Sequence, residues 1–351
     1  MLKNRRIRSR IVEICIGMNL LVLIACKSRD SGQLARTSSV TDDEAACIFG
    51  GDDNRYGSPG ADAIDLRVWK IINSTAIAST LAYVDGSGLS DRARSLGFNE
   101  SKIVKSGSMQ AIVMSNSRCI VLALRGTDMN SMRDWFVDLQ VSTETVKYGR
   151  VHSGFYKAWS SLNRDVVAEV KSQGANNKTF WVTGHSLGGA LAGLYAYSEA
   201  FERLLFRGPR IDRVVTFGQP LFADAQLSDV MRKEFLGRYF RVVNGLDIVA
   251  TVPFWLKHFG SLVWFHDDRV EYRPDTQLYG GTGGGISSAV IPPELEPTER
   301  SLREFLELTK SVSYHGEVSG FSAMGWPRRI ADHFMKGYLD RLQIEIDGLT
   351  K

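Results

Sequence analysis

Thr179-Phe180-Trp181-Val182-Thr183-Gly184-His185-Ser186-Leu187-Gly188-Gly189-Ala190-Leu191-Ala192-Gly193 is the stretch on which the reading of this chain turns. It opens with a continuous run of β-branched and aromatic residues, the composition of a strand buried on both faces. It closes with small residues and leucines, which begin a helical pattern running on to Phe206. Between the two lies Gly184-His185-Ser186-Leu187-Gly188. A serine on a tight turn from strand to helix has a strained backbone, and its Oγ projects above the end of the sheet. Glycines at 184, 188 and 189 let strand and helix approach closely. The helix N-terminus aims its N–H groups at the same spot and favours a developing negative charge there. Ser186 is therefore the candidate nucleophile.

Outward from this stretch, strand-type runs alternate with helix-type runs. Ala111–Met114 and Cys119–Leu124 precede it as short β-rich runs, and a helical stretch containing Asp165–Val170 lies between. Arg213–Phe217 and Arg238–Val243 follow as strands, with a helical pattern over Leu227–Leu236. Before them, residues 62–83 carry apolar positions at helical spacing: Ile64, Val68, Ile71, Ile72, Ala76, Ala78 and Tyr83. Continuous apolar strands, each followed by a helix, predict an α/β fold whose mostly parallel sheet has helices on both faces. Tyr279–Ser288 is Gly-rich and Ile291–Pro297 Pro-rich, a long loop. Arg328–Ile346 reads as a final helix with Ile330, Phe334, Tyr338 and Leu342 on one side.

A serine hydroxyl is a poor nucleophile without a base, and the base needs an acid to orient it. On a strand–elbow–helix scaffold these partners follow in the order Ser, acid, His. Asp247 lies just past the strand Arg241-Val242-Val243, where such an acid belongs. Asp224 and Asp229 sit in a helical, solvent-facing pattern and read as surface charges. Among the later histidines, His258 and His266 lie in or beside strand pattern and read as structural. His315, in a Tyr-His-Gly turn, and His333, at the entrance to the last helix, both remain candidates for the base. Two N–H donors are also needed for the oxyanion. Leu187, next to the nucleophile, supplies one. The strand Cys119–Leu124 ends in Arg125-Gly126-Thr127-Asp128, where Gly126 permits a sharp turn that aims the Thr127 N–H at Ser186. Beyond it Met132, Trp135, Phe136 and Leu139 form one apolar helical stripe, readable as a packed core helix or as a mobile lid.

The chain's formal charge of +4 resides entirely in residues 1–25, where Lys3, Arg5, Arg6, Arg8 and Arg10 face only Glu13. The remainder is neutral, so the basic isoelectric point is no argument for a nucleic-acid partner. The basic head precedes an apolar stretch from Ile14 to Ala25. That is short for a membrane span and suited to a signal peptide, residues 1–25. Its end, Leu23-Ile24-Ala25-Cys26, resembles a bacterial lipobox. That resemblance implies a lipidated Cys26 anchored to a membrane, with Lys27 pointing to the outer membrane or cell surface. An ordinary secretory signal or a short uncleaved anchor is the alternative. Residues 26–60, rich in Ser, Asp, Gly and Thr, read as a flexible tether, and 61–351 as the folded domain. Outside the leader only Cys47 and Cys119 remain. They could pair in an oxidising compartment, but the plainer expectation is two separate thiols, Cys119 buried on a strand. No CxxC or His-rich spacing suggests a metal site.

Taken in order, several blocks resemble the class 3 (fungal-lipase-like) lipase family. They are Ala123-Leu124-Arg125-Gly126-Thr127-Asp128, Arg133-Asp134-Trp135-Phe136-Val137-Asp138-Leu139, Val151-His152-Ser153-Gly154-Phe155, Val182–Ala190 around Ser186, Thr216-Phe217-Gly218-Gln219-Pro220, and Val242–Val249 around Asp247. The resemblance spans roughly residues 62–345. It implies an α/β-hydrolase fold, a Ser186–Asp247–His333 triad, and an oxyanion hole from Thr127 and Leu187. It also implies a lid around Asn130–Leu139, no metal or cofactor, and a lipid ester as substrate. The Asp332-His333 pair, followed by Tyr338, is similar to the family's terminal His block and favours His333 as base. The implied activity is that of a triacylglycerol lipase, with phospholipase A1 or short-chain esterase as alternatives on the same triad. An inactive surface-anchored binding protein is the alternative of another class. The chain departs from the family in having Ala250 where many members have Pro, and in its long Gly/Pro-rich insertion.

Overall fold

The computed structural model describes residues 44, 47–49, 66–86, 88–127, 142–206, 209–266, 269–275, 292–301, 303, 304, 307 and 328–342. All lie in the second of two compact units, Ser38–Lys351. The leader, Cys26, the Asn130–Leu139 stripe, His315 and the Gly-rich part of the late loop fall outside the described residues.

Helices α1 (Leu66–Leu81) and α2 (Leu89–Ser95) lead into strands β1 (Glu100–Ser106), β2 (Met109–Ser115) and β3 (Cys119–Leu124). A hairpin, β4 (Thr143–Val146) and β5 (Gly149–His152), precedes α3 (Ser153–Ser172). Then come β6 (Thr179–His185), α4 (Leu187–Phe206), β7 (Arg213–Phe217), α5 (Ala225–Glu234), β8 (Tyr239–Asn244), β9 (Ser261–His266) and β10 (Arg269–Arg273). Two short helices, α6 (Arg328–Ala331) and α7 (Met335–Arg341), end the described chain.

The main sheet has 8 strands in the order β1-β2-β3-β6-β7-β8-β9-β10. Its centre, β3-β6-β7-β8-β9, is parallel, while β1, β2 and β10 add antiparallel edges. Side chains alternate between the faces, as a pleated strand requires. Ile120, Leu122, Leu124, Phe180, Val182 and Val214 pack with Leu162 and Val166 of α3 and with Leu191 and Leu194 of α4. Val121, Ala123, Trp181, Val215, Phe217 and Val242 face the other way, toward Val68 and Ile72 of α1 and Tyr338 and Leu339 of α7. The central strands β3, β7 and β8 are buried throughout because helices cover both faces, whereas the edge strand β1 is exposed or half-buried at every residue but Val104.

Three details differ from the sequence reading. Cys47 and Cys119 form a disulfide that closes 72 residues of chain, so the expectation of two separate thiols is wrong. Secondly, Glu44, Cys47 and Phe49, from the stretch read as tether, are buried. Glu44 grips Arg213 through both carboxylate oxygens, and the Phe49 backbone exchanges hydrogen bonds with the Ser74 hydroxyl. The packed body therefore reaches back to residue 44. Thirdly, the final helix is interrupted: α6 ends at Ala331 and α7 begins at Met335, with Phe334 in extended backbone between them (φ −68°, ψ 141°). Helical spacing of apolar residues concealed this break, because Ile330, Tyr338 and Leu342 are buried on either side of it.

Candidate active site

The elbow is built at the end of β6. Ser186 takes φ 58°, in the left-handed region, which costs a non-glycine residue roughly 1–3 kcal/mol and persists only where the surroundings impose it. Its N–H donates to the Phe217 carbonyl (2.9 Å), and its own carbonyl accepts from Gly189 N–H (2.9 Å). The flanking glycines are sterically required. A Cβ on Gly184 would lie 2.2 Å from the Gly188 oxygen, and one on Gly188 would lie 2.0 Å from the Leu124 oxygen. Strand β6, helix α4 and the end of β3 thus meet at backbone contact distance around Ser186, which is itself buried.

That contact brings in the turn after β3. A Cβ on Gly126 would sit 2.6 Å from the His185 carbonyl and 3.0 Å from Ser186 Cβ. Thr127, next along, is half-buried, and its hydroxyl oxygen is enclosed without a hydrogen-bond partner. A buried hydroxyl with nothing to bond is costly. It stands on the turn that abuts the Ser186 elbow. Leu187 is the first residue of α4, among the N–H groups that lack an intrahelical acceptor.

Asp247 follows β8 and is fully buried. Its carboxylate accepts from the Val249 N–H (2.9 Å), from the Tyr338 hydroxyl (2.6 Å) and, through both oxygens at 2.9 Å, from His333 Nδ1. Burial alone would push this carboxyl up. The facing His333 and the hydrogen bonds from His333 and Tyr338 outweigh it and hold the carboxyl below its ordinary range. Burial and the adjacent Asp247 push the Tyr338 phenol well above its usual range, so it stays a donor. His333 lies in the break between α6 and α7. Because Nδ1 is committed to Asp247, Nε2 carries the lone pair, and it is buried without a hydrogen-bond partner. The break is tied to the acid's own loop: the Asp332 carboxylate accepts from Leu246 N–H (2.9 Å), and Asn244 Nδ2 donates to the Asp332 carbonyl (3.0 Å). Through these bonds the end of β8 holds both Asp247 and the loop of His333.

His185, adjacent to Ser186, is stacked on His333 with ring centres 4.7 Å apart. Its Nε2 is 2.7 Å from the His333 carbonyl, and its Nδ1 is 2.8 Å from the Tyr83 hydroxyl. Neither Tyr83 nor His185 stands out in the sequence as a site residue. Tyr83 lies beyond the end of a plain apolar helix, and His185 occupies a variable position of the elbow pattern.

The remaining sequence candidates lie in other settings. His258 is buried with Nε2 2.7 Å from the Ala250 carbonyl, and His266 ends β9. Asp224 caps α5 by accepting from Leu227 N–H, and Asp229 pairs with Arg232. Among the described residues no group of three or more His, Cys, Asp or Glu is arranged to hold a metal ion, and no described helix is long and apolar enough to cross a membrane.

Residues 121–257 match the family model described as Lipase (class 3). The chain is 29% identical over 215 residues to triacylglycerol lipase OBL1 of Arabidopsis thaliana, covering 47% of this chain and 42% of that protein. It is 31% identical over 213 residues to a lipase of Rhizomucor miehei, covering 58% and 54%. It is also 28% identical over 172 residues to secreted mono- and diacylglycerol lipase 1 of Fusarium solani, covering 46% and 48%. The chain spans about half the length of these relatives. A solved structure of a Rhizomucor miehei lipase–propeptide complex superposes with a TM-score of 0.51 at 22% identity, covering 75% of this chain and 90% of that one. The fold is that of the α/β-hydrolases, and the matched family model and relatives support the class 3 lipase family.

Proposed function

We propose that this chain is a serine-dependent carboxylic ester hydrolase acting on lipid esters, in the manner of a triacylglycerol lipase. The observation that carries the reading is His333, its Nδ1 bound to a buried Asp247, its Nε2 buried with no partner, and its ring stacked on His185, the chain neighbour of the strained Ser186. Ser186 Oγ attacks the ester carbonyl as His333 Nε2 takes its proton. Asp247 holds the imidazole in the tautomer that can do so and stabilises its protonated form. The N–H groups of Thr127 and Leu187, with the Thr127 hydroxyl, receive the negative charge that develops on the carbonyl oxygen. His333 then returns the proton to the departing alkoxide, leaving an acyl group on Ser186. Water, deprotonated by the same His333, releases the acid.

The family match and the names of the relatives favour acylglycerols as substrates over phospholipids or short soluble esters. The disulfide, the secretory pattern of residues 1–25 and a relative named as secreted favour export, with lipidation of Cys26 as the proposed anchor. Mass spectrometry of the mature N-terminus tests the anchor: a diacylated Cys26 supports it, and a free or uncleaved terminus overturns it.

The reading is tested by exposing the full chain to a fluorophosphonate and to trioleoylglycerol, phosphatidylcholine and p-nitrophenyl butyrate in parallel. Labelling that disappears in Ser186→Ala, with a loss of turnover on the order of 10⁵–10⁶, is the expected result. A folded wild-type chain inert to fluorophosphonate and to all the esters would overturn it. Hydrolysis confined to phosphatidylcholine or to the butyrate would replace acylglycerol with that substrate class.

A further inference from the structure

We propose that Tyr83 and His185 form a positioning pair for the base: the Tyr83 hydroxyl orients the His185 ring, and His185 in turn holds the backbone carbonyl of His333. The inference rests on the reading of His333 as base to Ser186 and deepens it.

Elimination assigns the protons. The His333 carbonyl can only accept, so at 2.7 Å the hydrogen must be on His185 Nε2. Tyr83 Oη, 2.8 Å from Nδ1, then donates to the remaining lone pair. A single neutral tautomer satisfies both contacts, with the Tyr83 hydroxyl as donor. Burial, and next the neighbouring His333, lower the His185 pKa to about 3. The ring therefore stays neutral while stacked on His333, even as His333 takes up a proton during turnover. The other titratable and charged groups on this cluster are Tyr338, whose ring is 6.0 Å from that of His185, Asp247 behind His333, and Arg125 over the Tyr83 ring at 5.7 Å.

The pair joins parts of the chain that nothing local connects. Tyr83 to His185 spans 102 residues and His185 to His333 spans 148. The Tyr83 hydroxyl also packs against the turn that carries Thr127, since a Cβ on Gly126 would lie 2.4 Å from Tyr83 Oη. One hydroxyl and one imidazole therefore index the oxyanion turn, the elbow and the base loop against one another. His333 Nδ1 is fixed by Asp247, but a ring fixed at one atom can still tilt. The hold on its carbonyl sets where Nε2 points.

A merely structural pair would lower the melting temperature or the fraction of active protein, and leave turnover per active site unchanged. The test is p-nitrophenyl butyrate hydrolysis by the full chain, with active sites counted by fluorophosphonate titration. Tyr83→Phe is expected to lower kcat per titrated site about 3- to 10-fold with KM unmoved, the effect of one hydrogen bond. His185→Leu removes the donor to His333 and is expected to lower it on the order of 10²-fold, the effect of misplacing a reacting group. His185→Gln keeps an amide N–H for the carbonyl and an oxygen for Tyr83, and should recover most of that loss. Wild-type turnover per titrated site in Tyr83→Phe and His185→Leu, whatever their melting temperatures, would overturn the inference. So would a His185→Gln variant as damaged as the leucine. Should His185→Leu not fold, Tyr83→Phe and His185→Gln decide alone. A wild-type chain inert to both ester and fluorophosphonate would sink the hydrolase reading and this inference together, whereas an active wild type with undamaged variants sinks this inference only.

Discussion

The elbow and the acid–base pair are assembled on opposite plans. Residues 179–193 are contiguous: a buried strand, a left-handed serine and a helix whose first turn is too small to clash. The backbone turn at Ser186 is set mainly by its chain neighbours, with one bond to the Phe217 carbonyl and close packing on Leu124 and Gly126. Asp247 and His333 are 86 residues apart, and neither is placed by its own element. Asp247 sits on a loop and His333 in a break between two short helices. What holds them is a set of cross-links: Asp332 to Leu246 N–H, Asn244 to the Asp332 carbonyl, and Tyr338 to Asp247. Local construction makes the proposed nucleophile less dependent on distant changes. Remote construction makes the base dependent on several weak contacts at once.

That difference can be broken at its strongest link. Asp247→Asn keeps the shape but replaces an acceptor with an amide that can present its N–H to His333 Nδ1, favouring the wrong tautomer. Turnover is expected to fall about 10⁴-fold while fluorophosphonate still reacts slowly with Ser186. A variant within tenfold of wild type would show that the acid lies elsewhere. On the elbow's side, Thr127→Val removes the enclosed hydroxyl and preserves the β-branched shape. If that hydroxyl bonds the oxyanion, kcat should drop on the order of 10²–10³ with KM little changed. Unchanged kcat would leave the backbone N–H groups as the whole oxyanion site.

The same contrast explains what was legible in the sequence. α4 and β7 begin and end where the apolar pattern says, because each is a run bounded by Gly or polar residues and packed on both sides. Strands β2, β3, β6, β7 and β8 and the elbow were readable for the same reason, whereas β1, β4, β5 and β10, poorer in apolar residues, were not. The choice between His315 and His333 was not, from the pattern of residues alone. Only the resemblance of the Asp332-His333 block, with Tyr338, to the family's pattern favoured His333, and a break at Phe334 leaves no mark in a helical periodicity that resumes at Tyr338. The fastening at residues 44–49 was hidden likewise, since Glu44 meets Arg213 across 169 positions. A Ser- and Asp-rich stretch reads as tether whether or not one cysteine within it pairs.

That fastening gives a prediction far from the chemistry. Cys47→Ala with Cys119→Ala should destabilise the fold by roughly 2–4 kcal/mol, the usual worth of a crosslink closing a loop of this length. Cys119 begins β3 opposite Thr179, the start of the strand that ends at His185, so the disulfide lies at the end of the sheet away from Ser186. Turnover per titrated site below the melting transition should therefore be unchanged. Urea unfolding and active-site titration measure the two separately, and an equal loss in both would show that the base's remote scaffold extends to the N-terminal segment.

The smallest expected effect falls on Tyr338, which touches the acid and not the reacting atoms. Its hydroxyl donates to ionised Asp247 at 2.6 Å. Tyr338→Phe deletes one of the contacts that offset the burial of that carboxylate, so its folded pKa must rise toward the ordinary value. A carboxyl depressed in the folded state contributes stability that is present above its unfolded pKa of about 4 and is lost as pH falls through the folded value. The variant should thus be less stable at neutral pH by about 1–3 kcal/mol and should unfold in acid at a higher pH than wild type. Turnover should drop only a few-fold, since His333 keeps both of its bonds to Asp247. Acid titration followed by tryptophan fluorescence reads the first effect. If the acid midpoint does not move, the Tyr338 hydroxyl adds nothing to the carboxylate, and His333 alone offsets the cost of burying it. The base side would then be one strong contact rather than a web of weak ones, and its contrast with the elbow would be smaller than the distances imply.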